Sequence, residues 1–261
     1  MSDVIGAIHR LRDEEILGSV VTMVSGPDVG DKAVIESGAG IVAGAIPEEI
    51  AAAVVADAAE LARHEQSRTL EYGSRRVFIE TLAPSPVLLI FGAGHIAQPL
   101  TRMARELGFR TIVADARAAW ATPERFPDVD QLIVGWPDAV FERISLDHRT
   151  YVALLSHDAR FEDPVLPAVR NAPVRYIGAM GSRRTHRDRR ERLAAAGWSE
   201  EELARIHGPI GIDIGAETPA ETAVSILAEI IRVRYGHGSG VPLRGTEGRI
   251  HAQRGDEPGT S

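Results

Sequence analysis

Glycines and ionisable side chains follow apolar segments at several points of this chain. The first such point is residues 86–97, which read PVLLIFGAGHIA, an apolar run followed by a Gly-x-Gly-x-x-Ala pattern. Gly92 permits a tight turn, Gly94 lets the backbone approach a phosphate, and Ala97 lets a new helix pack close to the strand. The pattern therefore predicts that a phosphate-bearing ligand contacts Gly92, Ala93, Gly94, His95 and Ile96.

Two polar residues follow this pattern at the spacing of a dinucleotide-binding fold. Asp115 lies 21 residues after Gly94, at the end of a second apolar run, where such folds place a carboxylate that accepts from a ribose hydroxyl. We predict that role for Asp115, with a plain helix cap as the alternative. Arg117 is suited instead to a 2′-phosphate, so NAD and NADP both stay open, although Asp115 favours NAD.

Two histidines stand near these predicted strand ends. His95 is expected at a helix N-terminus, where the helix dipole disfavours an imidazolium and leaves a neutral ring that can donate to a phosphate or substrate oxygen. A turn histidine with only local bonds is the alternative. His157 lies between Ser156 and Asp158. Because adjacent side chains diverge at a strand end, a polar cleft wall is favoured over a catalytic pair.

Two later segments also combine glycines with charge. Residues 181–190 read GSRRTHRDRR, the most basic stretch of the chain, and favour anion binding by Gly181, Ser182 and Arg183 at a helix start. Residues 187–192 are expected mostly on the surface. Residues 209–219 read PIGIDIGAETP. A carboxylate among apolar residues needs partners, so Asp213, Gly215 and Ala216 are predicted to contact the ligand.

The composition excludes several classes of function. The formal net charge of −8 argues against a nucleic-acid binder, and no apolar run reaches the length of about 20 residues that a membrane span needs. No secretory signal is recognised at the N-terminus, so a cytoplasmic protein is expected. The chain has no cysteine, and Lys32 is its single lysine. A thiolate nucleophile and a sulfur ligand for a metal are therefore excluded. No catalytic residue and no metal ligand are assigned.

Alternating apolar segments and helix signals predict the elements that position these residues. We expect an α/β protein with a Rossmann-like, doubly wound parallel sheet in residues 84–235, preceded by a small α+β domain in residues 1–83 and followed by a flexible tail in 236–261. Strands of the parallel sheet are predicted at 87–91, 111–114, 131–134, 152–155 and 174–177. Capping boxes at Ser199 and Thr218 predict two helix starts.

Three of these motifs, in this order, resemble the XdhC/CoxI family of accessory proteins for xanthine dehydrogenase and related molybdenum hydroxylases. They are IFGAGHIA at 90–97, YIGAMGSRR at 176–184, and PIGIDIGAETP at 209–219, followed by Glu221 and SILAEI at 225–230. The resemblance covers about residues 85–234. It implies a protein that tends to dimerise, binds molybdenum cofactor, protects it during sulfuration and delivers it to the apo-enzyme. A cysteine desulfurase is a further partner that the resemblance raises.

The N-terminal region departs from the family pattern. Family members usually carry a Pro-x-x-Pro-Gly-like turn and a Gly-Gly-Gly-Cys segment, whereas residues 26–31 read GPDVGD and residues 40–47 read GIVAGAIP. Two alternatives to a cofactor-binding chaperone therefore stay open: an NAD(P)-dependent oxidoreductase and a nucleotide-sensing regulatory paralogue. The ligand, a molybdopterin-type cofactor or NAD(P), is undecided.

Overall fold

The fold comprises two sheets joined by residues 83–86. It was obtained as a computed structural model, which describes residues 3–156, 159–236 and 238–246. The first sheet is antiparallel and is formed with two helices by residues 4–82. Its helices are α1 (Val4–Asp13) and α2 (Glu48–Arg63), and its strands are β1 (Gly18–Ser25), β2 (Lys32–Glu36), β3 (Gly40–Gly44), β4 (Arg68–Tyr72) and β5 (Arg75–Leu82).

The first sheet has the order β3-β2-β1-β5-β4, with all neighbouring strands antiparallel. One face packs against α2, because Ile50, Val54 and Ala58 recur at helical spacing and contact Val77 and Ile79 of β5 in one buried cluster. The other face packs against α1 through Leu11. These residues form a core separate from that of the second sheet.

The second sheet is parallel and contains the glycine-rich turn. Its strands are β6 (Val87–Phe91), β7 (Arg110–Asp115), β8 (Gln131–Val134), β9 (Thr150–Leu154), β10 (Tyr176–Ala179) and β11 (Ile206–His207). The helices between and after them are α3 (Ala97–Glu106), α4 (Pro137–Phe141), α5 (Ala159–Glu162), α6 (Val165–Arg170), α7 (Arg183–Ala195), α8 (Glu200–Ala204) and α9 (Pro219–Tyr235). A short 3₁₀ helix follows at Leu243–Gly245.

The strand order β11-β10-β9-β6-β7-β8 is that of a doubly wound Rossmann sheet. β6 lies at the centre, with Phe91 opposite Ala114 of β7 and Leu154 of β9. Leu88 and Ile90 face a core shared with α3 and α9, whereas Leu89 and Phe91 face the core on the other side. The order of connections reverses between β6 and β9. The carboxyl ends of these two strands therefore flank the crevice in which such sheets bind ligands.

The predicted fold class is confirmed, and the differences are local. The strand predicted at 174–177 is Tyr176–Ala179, and β4 and β11 were not predicted. The two predicted capping boxes are present, with Ser199 and Glu202 at α8 and Thr218 and Glu221 at α9. Most of the predicted tail lies outside the described residues. Among the residues that are described, no helix is both long and apolar enough to cross a bilayer.

Candidate functional site

A large cavity opens at the carboxyl edge of the parallel sheet. We call it the first cavity; its volume is about 640 Å³. Its lining comes from the turn after β6, the segments after β7 and β9, and the start of α9. The lining residues are Gly94, His95, Ile96, Ala97, Arg117, Trp120, Leu155, Ser156, Arg160, Met180 and Pro219. The cavity therefore lies where the strand order reverses.

Gly92 and Gly94, the two glycines of the turn, have different structural roles. Gly92 has a φ of +114°, and a Cβ there would lie 2.9 Å from the Ser156 nitrogen, so a side chain would collide with the neighbouring backbone. A Cβ on Gly94 would meet no atom within 4 Å. Gly92 therefore shapes the turn, whereas Gly94 leaves space at the cavity wall.

The turn leads into α3 without a capping side chain. Ile96 is the N-cap residue and makes no side-chain cap hydrogen bond. Since the first N–H groups of a helix have no partner within the helix, this end favours an anion. His95 lies beside it, with its ring packed edge-on against Trp120 at 5.4 Å between ring centroids. The predicted position of His95 at a helix start is therefore what the structure shows.

Asp115 is buried and its carboxylate is occupied by protein donors. Oδ1 accepts from the backbone N–H and the Nε of Arg117, both at 2.9 Å, and Oδ2 accepts from the Ala93 N–H and the Arg117 Nη2, both at 2.8 Å. Burial alone would raise the pKa of Asp115, but the hydrogen bonds from Arg117 and Ala93 outweigh it and the pKa is lowered. The ion pair holds Arg117 at the rim of the first cavity.

Sequence reasoning missed the aromatic residue at this rim. The guanidinium carbons of Arg117 and Arg125 lie 5.0 Å and 4.6 Å from the Trp120 ring centroid, and Arg125 Nη1 donates to the Trp120 carbonyl at 3.1 Å. Arg160 also lines the cavity. The spacing of Trp120 between two arginines was the available signal. The rim is cationic in a chain whose net charge is −8.

A second cavity, about 580 Å³ in volume, adjoins the first through Ser156 and Met180, which line both. Of the three residues predicted to bind an anion together, Gly181 and Ser182 line the second cavity. Arg183 does not line it, because its side chain is exposed and borders a separate surface depression. The prediction that residues 187–192 are mostly exposed is wrong for Arg189. That side chain is 3% exposed because it pairs with the buried Glu162.

The segment containing Asp213, Gly215 and Ala216 is exposed and lies outside the linings of both cavities. The burial that was expected for Asp213 does not arise, because its side chain is exposed. Its contact with a ligand stays a prediction. What fixes the start of the segment is Glu229, which accepts from the Gly211 N–H at 2.9 Å and from the Tyr176 hydroxyl at 2.6 Å.

Of the remaining predicted site residues, Gly94, His95 and Ile96 line the first cavity together with Arg117, while Gly92 and Ala93 form the turn beneath it. Ser156 lines both cavities, in agreement with a polar wall. His157 and Asp158 lie outside the described residues, so the role of His157 stays a prediction. The ligand contacts of all these residues are likewise still predictions.

Comparisons with known proteins match the same part of the chain. A family model described as the XdhC Rossmann domain matches residues 88–230, which include all three motifs. A Bacillus subtilis (strain 168) protein, named as a probable subunit of xanthine dehydrogenase, is 33% identical over 158 residues, covering 60% of this chain and 46% of that protein. The Escherichia coli (strain K12) molybdenum cofactor insertion chaperone PaoD is 34% identical over 151 residues, covering 58% of this chain and 41% of PaoD.

A solved structure supports the fold beyond this region. The crystal structure of a xanthine dehydrogenase from Bacillus halodurans matches with a TM-score of 0.53 at 19% identity, covering 89% of this chain and 94% of that chain. By contrast, the chain spans less than half the length of the two curated relatives above.

Proposed function

The chain belongs to the XdhC family, and we propose from this membership that it binds a molybdenum pterin cofactor and delivers it to a molybdenum hydroxylase. The observation that carries the proposal is the chemistry of the first cavity. Two arginines and the uncapped start of α3 border it, and none of its described lining residues is a carboxylate. Such a cavity suits a ligand that carries a phosphate, as the pterin cofactor does.

We propose binding without turnover. His95 is the only imidazole among the described lining residues, and its ring packs on Trp120. General acid–base catalysis needs a group with an oriented partner within hydrogen-bond reach of the reacting atom. The first cavity therefore supports a cofactor carrier better than an enzyme with its own acid–base pair.

The NAD(P)-dependent alternative has less support. A carboxylate has about four lone-pair positions, and four protein donors already occupy those of Asp115. With a side chain that is 3% exposed, Asp115 offers no acceptor to a ribose diol. The division into domains at residues 83–86, a homodimer, a cysteine desulfurase partner and a nucleotide-sensing role remain proposals of lower rank.

The test compares Gly94→Asp with Gly94→Asn. The two new side chains are equal in size, and the Cβ of either enters open space, so their difference reports the negative charge together with the loss of the amide donor. We expect Gly94→Asp to bind molybdopterin at least about tenfold more weakly than Gly94→Asn. Binding is measured by calorimetry, and delivery by activation of an apo-hydroxylase.

Two results contradict the proposal. One is that the unmodified protein binds no molybdenum pterin while deletion of its gene leaves hydroxylase activity unchanged. The other is that Gly94→Asp and Gly94→Asn bind the cofactor equally well. Saturable binding of NADH, followed by tryptophan fluorescence and lost in Gly94→Asp, would favour the dinucleotide alternative.

A further inference from the structure

The second cavity is built around the N-terminus of α7, a helix of 13 residues. The Ser182 hydroxyl caps it by accepting from the Thr185 N–H at 3.1 Å. Arg183 and Arg184 are the first two residues of the helix, so their N–H groups have no acceptor within it. Gly181 precedes the cap with a φ of +142°, where a Cβ would lie 2.9 Å from the Thr185 side chain. Glycine at position 181 therefore places no side chain over the start of α7.

An independent observation comes from Arg189, which also lines the second cavity. Its Nε and Nη2 bind the carboxylate of Glu162, and Nη2 donates to the Met180 carbonyl at 2.9 Å. Nη1 is buried and has no hydrogen-bond partner among the described residues. Leaving a buried charged donor unsatisfied costs about 1–3 kcal/mol or more. Among the described residues, therefore, no acceptor is supplied to this nitrogen, and a ligand acceptor could fill that role.

The charges of the second cavity are balanced before a ligand enters. Glu162 neutralises Arg189, Arg192 pairs with Asp163 at 2.6 Å, and the exposed Asp188 lies 3.9 Å from Arg184. The remaining field comes from the positive end of the α7 dipole and from its bare N–H groups. An oxyanion can use both these groups and the spare guanidinium nitrogen, whereas a cation finds no unpaired carboxylate among the described lining residues.

We propose that the second cavity binds an oxyanion, a phosphate ester or diphosphate, carried by the same ligand that occupies the first cavity. The two cavities adjoin at Ser156 and Met180, so one elongated ligand reaches both. This inference rests on the proposed function for the identity of that ligand. It adds that the ligand carries two anionic groups, one for each helix N-terminus. Molybdopterin has a single phosphate, so the nucleotide form of the pterin cofactor, which has a diphosphate, is the form that fits both cavities.

The test uses Ser182, because aspartate and asparagine both serve as N-cap residues. Ser182→Asp introduces a negative charge at the proposed subsite, whereas Ser182→Asn keeps the cap and remains neutral. Arg187→Gln changes the net charge by the same single unit on the same helix but lies outside the cavity lining. Inorganic phosphate is titrated into each folded protein, and amide NMR signals are followed.

We expect phosphate to shift the amide signals of residues 182–184 in the unmodified protein, in Ser182→Asn and in Arg187→Gln. In Ser182→Asp the affinity should fall by about tenfold or more. Phosphate that leaves these amides unshifted, or that shifts them equally in Ser182→Asp, would overturn the subsite.

A second measurement separates this inference from the proposed function. If phosphate leaves the amides of residues 182–184 unshifted in the unmodified protein, and the nucleotide form of the pterin cofactor binds equally well to the unmodified protein and to Ser182→Asp, the second subsite is removed and the proposed function still stands. Phosphate-dependent shifts in a protein that binds no molybdopterin support the subsite and contradict the proposed function.

Discussion

Asp115 links the glycine turn to the arginine that borders the first cavity. Its four accepted hydrogen bonds tie the Ala93 N–H, on the turn, to the backbone and guanidinium of Arg117. Asp115→Asn keeps the size but replaces one acceptor oxygen by a donor. We expect a loss of about 1–3 kcal/mol in the free energy of unfolding, with weaker ligand binding as Arg117 loses its position.

Asp130 offers the matched control for that substitution. It accepts from the backbone N–H and hydroxyl of Thr111, at the opposite end of β7 from Asp115. Asp130→Asn should lower stability without changing affinity for the ligand. Urea unfolding and calorimetric titration of both variants provide the measurement. Equal affinities in Asp115→Asn and the unmodified protein would show that Arg117 does not depend on Asp115.

His186 gives the protein a predictable response to acid. Burial lowers the pKa of His186, and the charges of Arg189 and Arg190 lower it further, from an ordinary value of 6.5. As the pH falls through about 6.5, His186 therefore binds a proton in the unfolded chain but not yet in the folded chain. The free energy of unfolding decreases as a result. Below the folded-state pKa the loss is complete.

We expect His186→Gln to lose less stability than the unmodified protein between about pH 7.5 and about pH 5.5, because glutamine does not titrate. Urea unfolding at the two pH values measures the difference. A pH dependence in His186→Gln that equals that of the unmodified protein would contradict the assignment to His186.

At the scale of elements, helix starts could be predicted from local sequence signals, whereas strand pairing and ion pairs between distant residues could not. The capping boxes of α8 and α9 were predictable because the N-cap residue and the third residue of the helix lie within one turn of each other. β4 was missed because Arg68–Tyr72 alternates partly exposed residues and gains its partners from β5, which follows a turn at Gly73. The Glu162–Arg189 pair joins residues 27 positions apart, so no local pattern could show that an arginine in a basic stretch is buried.

α9 connects a local cap to the candidate site. Thr218 caps the helix and Pro219, the next residue, lines the first cavity. Thr218→Ala should cost about 1 kcal/mol in stability and also weaken ligand binding. Ser199→Ala removes the corresponding cap of α8, which lines neither of these cavities, and should lower stability alone. Thermal unfolding and calorimetry distinguish them, and equal ligand affinities in the two variants would exclude a contribution of the α9 start.

At the scale of the whole molecule, two glutamates tie the first sheet to the parallel sheet. Glu15 follows α1 and contacts Arg110 and Arg149, each at 3.3 Å. Glu65 follows α2 and contacts Arg234 at 2.5 Å and Arg175 at 3.4 Å. Both glutamates have a left-handed φ, +53° and +52°, at a position where glycine is usual after a helix. Their carboxylates offset the backbone strain by binding arginine.

These contacts decide which edge of the parallel sheet the first sheet approaches. Arg110 begins β7, while Arg149 and Arg175 immediately precede β9 and β10. All three therefore lie at the amino edge, and the two cavities lie at the carboxyl edge. The cysteine-less segment 40–47 contributes no residue to either cavity lining. In the described structure, the N-terminal segment that differs from the family pattern therefore does not alter the lining of the candidate site.

Glu65→Gln tests this arrangement, because it keeps the shape of the side chain and removes its charge. Two arginines then lose their ion-pair partner at a largely buried position, where the Glu65 side chain is 14% exposed, so we expect a loss of about 1–3 kcal/mol in the free energy of unfolding. The segment 83–86 should become easier to cleave by a protease, since the two sheets are held together less firmly.

Glu60→Gln on the same helix removes an exposed carboxylate that pairs with Arg63 and His64, close to it in sequence. It should change the free energy of unfolding by no more than a few tenths of a kcal/mol and leave the rate of cleavage unchanged. Molybdopterin affinity should stay unchanged in both variants, because Glu65 acts at the edge opposite the cavities. Weaker cofactor binding in Glu65→Gln, without such a change in Glu60→Gln, would mean that the first sheet transmits its position to the ligand site.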